Sequence, residues 1–172
     1  HNGALHCTDY TMRGLHASLK DRCNLYVYEC GSKFGLVKAL LIDQGRHNGE
    51  MLKFALIGGH GEKDSISMGG RAERDKVLIS DLEGRGSSKA GSFFDKDSTI
   101  VLYSCSTGQE GGIAQKISEQ LGVKVIAPES PTGMLFMDAI FNDGKMTIEA
   151  RYGDTKEKGY KGGAQIEAKN DY

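Results

Sequence analysis

The chain has 172 residues, 38% hydrophobic and 26% charged, which is the balance of one globular domain and not of a disordered chain. Its formal net charge of −1 and lack of long charge runs argue against nucleic acid as the main partner. No apolar run approaches the ~20 residues of a membrane-spanning helix, so no membrane span is expected. The four cysteines form no C-x-x-C pair, which argues against zinc. We expect reduced thiols, with a disulfide among Cys7, Cys23 and Cys30 as the alternative.

Composition divides the chain into three segments. Residues 1–23 are polar and show no clear period, which predicts an N-terminal arm, extended or mobile. Residues 24–152 carry the apolar runs that strands and helices need, so the main domain is predicted there. Residues 153–172 are polar again and predict a loosely held C-terminal tail.

The first half of the domain predicts a strand, a helix and a second strand. Residues 25–28 are rich in Tyr and Val, which favours a strand. Residues 33–44 have apolar side chains at helical spacing, with Ser32 placed as the N-cap and Gly45 placed to end the helix. Residues 51–57 form a short, nearly continuous apolar run that ends in Gly-Gly, which is typical of a buried strand.

The middle of the domain is richer in turns. We predict a short strand at residues 65–68, one or two helical turns at 77–82, and a flexible loop over the Gly/Ser-rich stretch 83–92. Residues 99–103 are β-branched and apolar, which predicts a second buried strand.

The last part of the domain predicts a helix at 113–121, a buried strand at 123–127, and a hairpin of strands 135–141 and 145–152 around the turn 142–144. Strands that alternate with helices favour a parallel sheet covered on both faces. We therefore predict an α/β fold: a three-layer sandwich with a mainly parallel central sheet and the C-terminal hairpin at its edge or flank.

Two reactive side chains follow two of the predicted buried strands. His60 follows the strand 51–57, and Cys105 follows the strand 99–103. If these strands are parallel neighbours, both side chains project into the crevice beyond the carboxyl ends of the strands. An imidazole there can take the thiol proton and later protonate a leaving amine, so the pair is a minimal acyl-transfer unit.

Backbone groups beside this pair are suited to stabilise an oxyanion. Gly61 has no side chain to block its backbone, and the N–H of Cys105 can supply a second donor. The helix predicted after Cys105 is also expected to favour a thiolate with its N-terminus. The alternative is that Cys105 is an inert packed thiol and His60 a turn residue.

The motifs Gly59-His60-Gly61 and Ser-Cys-Ser-Thr-Gly at 104–108, each after a hydrophobic strand, resemble clan CD cysteine peptidases. That group includes caspases, metacaspases, legumain, gingipains, clostripain, separase and the self-cleaving domains of large bacterial toxins. The resemblance covers roughly residues 24–128. It implies a caspase-like fold with His60 as the base, Cys105 as the nucleophile and Gly61 as an oxyanion donor, and it requires no cofactor.

The chain departs from several relatives at the residues before the nucleophile. Metacaspases and Arg/Lys-specific relatives carry an acidic residue there, whereas this chain has Tyr103 and Ser104. It also lacks the Gln-Ala that precedes the cysteine of caspases, so Asp specificity is not implied. The short chain is more similar to compact bacterial members, including toxin self-processing and effector domains. The sequence does not give the compartment, and action in the cytosol or delivery into a host cytosol is favoured over an extracellular structural role.

Further residues are candidates for substrate and activator contacts. Tyr103, Ser104, Glu129 and Ser130 stand next to predicted strand ends, where they can line a substrate pocket. Toxin domains of this kind bind inositol phosphate, and the resemblance implies that an anionic activator of that type can bind a loose basic cluster here. The alternative is that these basic residues lie in a solvated loop and bind no activator. The cluster consists of Arg71, Arg74, Lys76, Arg85 and Lys89.

We therefore expect a cysteine endopeptidase that cleaves a protein, a peptide or its own parent chain through a Cys105 thioester, with His60 as general acid and base. Two alternatives remain open. One is a catalytically inactive caspase-like module that binds a protein through the same groove. The other is a deamidase or acyltransferase that uses the same Cys–His pair.

Overall fold

The computed structural model describes residues 9–46, 49–70, 72–83, 90–153 and 155–166. The described helices are α1 (Asp9–Leu19), α2 (Lys33–Arg46) and α3 (Ile113–Leu121). The described strands are β1 (Leu52–Gly58), β2 (His60–Glu62), β3 (Ser65–Ser67), β4 (Lys76–Leu78), β5 (Phe94–Tyr103), β6 (Lys124–Pro128), β7 (Met134–Asn142), β8 (Lys145–Tyr152), β9 (Glu157–Lys161) and β10 (Ala164–Ile166). Among them, no helix has the length and apolar character needed to cross a membrane.

The central sheet has five strands in the order β1-β5-β6-β9-β10. The pairs β1/β5 and β5/β6 are parallel, whereas β6/β9 and β9/β10 are antiparallel. The predicted α/β class is confirmed, but the sheet is mixed because β9 runs in the direction opposite to that of the other strands. Strands β2, β3 and β4 form a small separate sheet, and β7 pairs with β8.

Strand β5 divides the protein into two cores. Ile100 and Leu102 belong to the core cluster that contains the buried face of α3, whereas Val101 belongs to the cluster formed with α1 and the β7–β8 hairpin. All three side chains are fully buried. Because successive side chains of a strand point to opposite faces, a strand covered on both faces needs an unbroken apolar run, as this stretch provides.

Helix α3 follows its predicted bounds. Ile113, Ala114 and Ile117 are buried on one face of the helix, which packs against the sheet. Gly122 ends the helix at φ 70°, a left-handed conformation that glycine adopts without the steric cost of a Cβ.

The predicted N-terminal arm is wrong over residues 9–19, which form α1. Leu15 and Leu19 lie one turn apart and are buried in the cluster formed with the β7–β8 hairpin. This helix is short and its sequence is largely polar, so no clear period was visible. Residues 1–8 lie outside the described part of the chain.

The predicted loose tail is also wrong over residues 157–166. Strand β9 pairs with β6 from Lys124↔Lys161 to Pro128↔Glu157, and β10 extends the sheet beyond it. Tyr160 is fully buried in the same cluster as α3. A short strand with one deeply buried residue is stabilised by its neighbours, so polar composition alone did not reveal it.

The strand predicted at residues 25–28 is wrong, since no regular element is assigned there. The side chains of Tyr26 and Val27 are 42% and 58% exposed. A β-prone run becomes a strand only when it packs on a neighbouring strand, and this run does not lie within any described sheet.

Several smaller predictions can be compared directly. Helix α2 is confirmed, and the hydroxyl of Ser32 caps it by accepting the Gly35 N–H at 3.1 Å. Gly45 does not end the helix, which extends to Arg46. The stretch 77–82 is half strand and half a 3-10 turn, and the predicted loop 83–92 lies mainly outside the described residues.

The β7–β8 hairpin is confirmed and lies on the flank of the central sheet. Its turn residues Asp143 and Gly144 have φ values of 50° and 76°, the signature of a tight two-residue turn. The hydroxyl of Tyr152 donates to the carbonyl of Leu102 at 2.7 Å, which joins the hairpin to β5.

The burial of Leu15 yields a stability prediction. Leu15→Ala removes a side chain that is 1% exposed, so the free energy of unfolding should fall by about 3 kcal/mol. The control His16→Ala, on the exposed side of α1, should change it by less than about 0.5 kcal/mol. Urea denaturation measures both; equal small effects would contradict the assignment of α1 to the core.

Tyr152 yields a prediction for alkaline pH. Burial raises the pKa of Tyr152, so its phenol ionises less readily in the folded protein than in the unfolded chain. Its stabilising contribution is complete below the ordinary pKa of ~10 and is lost above it at about 1.4 kcal/mol per pH unit. Urea unfolding of Tyr152→Phe should therefore show a shallower loss of stability above pH ~10. An unchanged slope would show that this phenol ionises equally in both states.

Candidate active site

His60 and Cys105 follow two strands that lie side by side. Strands β1 and β5 are parallel neighbours, and their register pairs Gly58 with Tyr103. The pairing extends one step further, since the Gly59 N–H donates to the Tyr103 carbonyl at 3.2 Å. His60 and Cys105 each lie two residues beyond this last pair, at the carboxyl ends of adjacent parallel strands.

Gly61 lies directly against the backbone of Cys105. A Cβ on Gly61 would stand 2.3 Å from the Cys105 carbonyl oxygen and 2.7 Å from its amide nitrogen. Gly59 is equally restricted, because its Cβ would stand 2.3 Å from the Ser67 carbonyl oxygen. The sharp bend from β1 into β2 therefore needs both glycines, and it holds the segment around His60 against the turn at residues 104–108.

The thiol of Cys105 contacts a backbone carbonyl. The residue is half-buried, and its thiol donates to the carbonyl oxygen of Thr132 at 3.7 Å. His60 is exposed. Within the described residues, the Cys105 N–H has no hydrogen-bond acceptor, which leaves this donor available for an oxyanion.

Two buried hydroxyls close the turn that carries Cys105. Thr107 Oγ1 donates to the Ser104 carbonyl at 2.9 Å, so the Ser104 hydroxyl is the donor in the 3.2 Å contact between the two side chains. Both residues are buried. Gly108 N–H donates to the carbonyl of Pro128 at 2.8 Å and ties the turn to the end of β6.

The structure does not place Cys105 at the N-terminus of α3, where a thiolate would be stabilised. Helix α3 begins at Ile113, so residues 106–112 separate Cys105 from its first turn. The N–H groups of Ile113 and Ala114 donate to the carbonyls of Lys63 and Thr107. Because a helix field weakens beyond the first turn, the prediction that α3 favours a thiolate is not supported.

The four predicted pocket residues are placed differently from one another. Tyr103 is half-buried, with ring atom Cδ1 3.8 Å from the position a Cβ on Gly58 would take. Ser104 is buried within the turn and does not present its hydroxyl to a groove. Glu129 forms an ion pair with Lys158 at 3.6 Å.

Ser130 connects the turn at residues 104–108 to the chain beyond β8. The N–H of Ser130 donates to the hydroxyl oxygen of Thr155 at 3.1 Å, and the Ser130 carbonyl accepts the Ser106 N–H at 3.3 Å. Sequence analysis did not identify Thr132 or Thr155, since a backbone carbonyl and a distant hydroxyl leave no motif.

Only part of the predicted basic cluster can be described. Arg74 is exposed, with its Nε 3.8 Å from a carboxylate oxygen of Asp75, and Lys76 is half-buried on β4. Arg71, Arg85 and Lys89 lie outside the described residues. In the described part of the chain, no group of three or more His, Cys, Asp or Glu residues could hold a metal ion.

Three cysteines are free thiols, as expected: Cys23, Cys30 and Cys105. Burial raises the pKa of the Cys30 thiol, which disfavours its thiolate. Cys7 lies outside the described residues.

A family model described as a domain of unknown function, DUF8616, matches residues 42–148, and the chain belongs to this family. The matched segment contains both His60 and Cys105. No curated protein matches the chain. No solved structure matches it either.

The contact at Gly61 yields a third prediction. Gly61→Ala forces a methyl group into the Cys105 peptide, so urea denaturation should show a loss of about 2 kcal/mol in unfolding free energy. The matched control is Gly133→Ala, since no heavy atom lies within 4 Å of the added Cβ. The control should leave stability unchanged or raise it by up to about 1 kcal/mol. Equal effects in both variants would contradict the close contact.

Proposed function

We propose that this chain is a cysteine endopeptidase in which Cys105 is the nucleophile and His60 the general acid and base. The observation that carries the proposal is the juxtaposition of two strand ends. The two residues lie beyond the ends of parallel neighbouring strands, and the Gly61 backbone packs against that of Cys105. Thiol and imidazole groups at adjacent strand ends are the groups that acyl transfer needs.

The proposed reaction begins with transfer of the Cys105 thiol proton to the His60 imidazole. The sulfur then attacks the carbonyl carbon of the scissile peptide bond, and the N–H groups of Cys105 and Gly61 stabilise the oxyanion. The carbon–nitrogen bond breaks as the imidazolium returns its proton to the leaving amine. His60 next deprotonates a water molecule, which attacks the thioester, releases the acid and restores the thiol.

The contact between Cys105 and Thr132 supports an open site. The sulfur lies against a backbone carbonyl at 3.7 Å, and its residue is absent from both hydrophobic clusters. A structural cysteine buried in apolar packing would lack this polar contact and the access that half-burial allows.

We extend the proposal to a caspase-like three-layer architecture. Its support is the layering: α3 packs on one face of the central sheet, and α1 with the β7–β8 hairpin packs on the other. The order of a His-Gly after one strand and a Cys after its parallel neighbour is the pattern that suggested clan CD.

The proposed substrate is a protein or peptide, including the parent chain, and the chemistry requires no metal or cofactor. Tyr103 remains a candidate for the substrate pocket, although its half-buried side chain packs against the cluster formed with α1 and the β7–β8 hairpin. The described part of the basic cluster gives little support to an anionic activator, because Arg74 lies beside Asp75. Any activator therefore remains an expectation from resemblance.

The test is cleavage of a peptide library by the purified chain, read by mass spectrometry. Cys105→Ala should abolish cleavage, and His60→Ala should slow it by about 10²–10⁴-fold, because proton transfer is lost. The matched controls Cys23→Ala and His16→Ala, a second half-buried thiol and a second exposed imidazole, should retain activity.

Other outcomes would point elsewhere. Products that persist in Cys105→Ala would contradict the proposed nucleophile. Intact substrates that carry a converted amide or a transferred acyl group would indicate a deamidase or acyltransferase. A thiol-reactive peptide probe that labels Cys105 at the same rate in the starting protein and in His60→Ala would indicate a binding module.

A further inference from the structure

Ser106, the residue after the proposed nucleophile, has an unfavourable backbone conformation. Its φ is 58°, in the left-handed region that side-chain-bearing residues rarely adopt. Among the described non-glycine residues, the other case is Asp143 at 50°, where the tight hairpin turn requires positive φ. Ser106 lies in no hairpin, so its conformation needs a separate explanation.

The surroundings of Ser106 hold the turn on both sides. Its N–H donates to the Ser130 carbonyl at 3.3 Å. Immediately after Ser106, the buried hydroxyl of Thr107 donates to the Ser104 carbonyl, and the Gly108 N–H donates to the Pro128 carbonyl. Unfavourable backbone conformations persist only where the surrounding structure determines them this strongly, and such sites are concentrated at functional centres.

The left-handed residue sets the angle between the Cys105–Ser106 peptide and the anchored residues that follow. On one side of its N–Cα bond the Ser106 N–H donates to the Ser130 carbonyl, and on the other side Gly108 N–H donates to the Pro128 carbonyl. Because both sides are held, the φ of Ser106 fixes how Cys105 is placed relative to the rest of the turn. Within the described part of the chain, the Ser106 hydroxyl makes no hydrogen bond. The backbone of this residue, and not its side chain, is therefore the feature that shapes the turn.

We propose that Ser106 is a positioning residue whose left-handed backbone aims the thiol and the N–H of Cys105. The consequence for catalysis rests on the proposed function, whereas the consequence for the direction of the thiol does not. Glycine at this position adopts the conformation without strain, and valine opposes it most strongly because a β-branched side chain is a clear outlier at positive φ.

The experiment compares Ser106→Gly with Ser106→Val in the full chain. Two assays are used. The first measures kcat and KM for a cleaved peptide. The second uses peptide mapping to measure the alkylation rate of Cys105 by iodoacetamide relative to that of Cys23. Ser106→Gly should stay within about twofold of the starting protein in both. Ser106→Val should lower kcat by about 10²-fold with KM little changed, and shift the alkylation ratio severalfold, because the reacting groups are misplaced.

Asp143→Val is the matched control, since it places the same residue at the other left-handed position, in the β7–β8 turn. It should leave the alkylation ratio unchanged even where thermal stability falls. An unchanged ratio in a folded Ser106→Val variant, as judged by circular dichroism, would overturn the proposal. Equal losses in Ser106→Gly and Ser106→Val would also overturn it, because they would assign the effect to the hydroxyl.

The two proposals fail separately. If the starting protein cleaves no peptide, the peptidase assignment fails, but the alkylation ratio still decides the positioning effect of Ser106. If peptides are cleaved and Ser106→Val keeps both kcat and the alkylation ratio, the peptidase assignment stands and the positioning effect fails.

Discussion

The parallel pairing of β1 with β5 is the interaction on which the rest of the site depends. Each strand places one of the two candidate residues just beyond its carboxyl end, and the hydrogen bonds between the strands fix how far each strand extends relative to the other. A one-residue slip of β5 would exchange Ile100 and Leu102 with Val101 between the two cores, so burial on both faces of the strand also fixes its register. Gly59 and Gly61 then allow the chain to pack closely against the turn at residues 104–108.

The predictable part of this protein is the part in which local pattern and burial agree. The unbroken apolar runs that became β1, β5 and β6 predicted buried strands, and the regular spacing in α3 predicted a helix. The turn 142–144 was predictable because Asn-Asp-Gly favours positive φ at its central residues. The strand-end placement of His60 and Cys105 followed from the same patterns.

The unpredicted part depends on contacts between distant segments. Helix α1 is anchored by Leu15 and Leu19 on a hairpin more than a hundred residues further along the chain, and β9 is ordered by pairing with β6. In contrast, the β-prone run at residues 25–28 lacks a neighbouring strand and forms no regular element. Local sequence does not show which distant segments will pack together. Long-range contacts therefore ordered segments with weak secondary-structure propensity, and their absence left a β-prone segment without a strand.

Strand β9 has a consequence for the order in which the protein is completed during synthesis. The hydroxyl of Tyr160 donates to the carbonyl of Gly108 at 2.8 Å, and Thr155 binds Ser130 beside the turn at residues 104–108. A nascent chain that has emerged from the ribosome only through β8 already carries both His60 and Cys105, yet it lacks these two anchors. The turn at residues 104–108 can therefore gain its full set of contacts only after β9 has been translated.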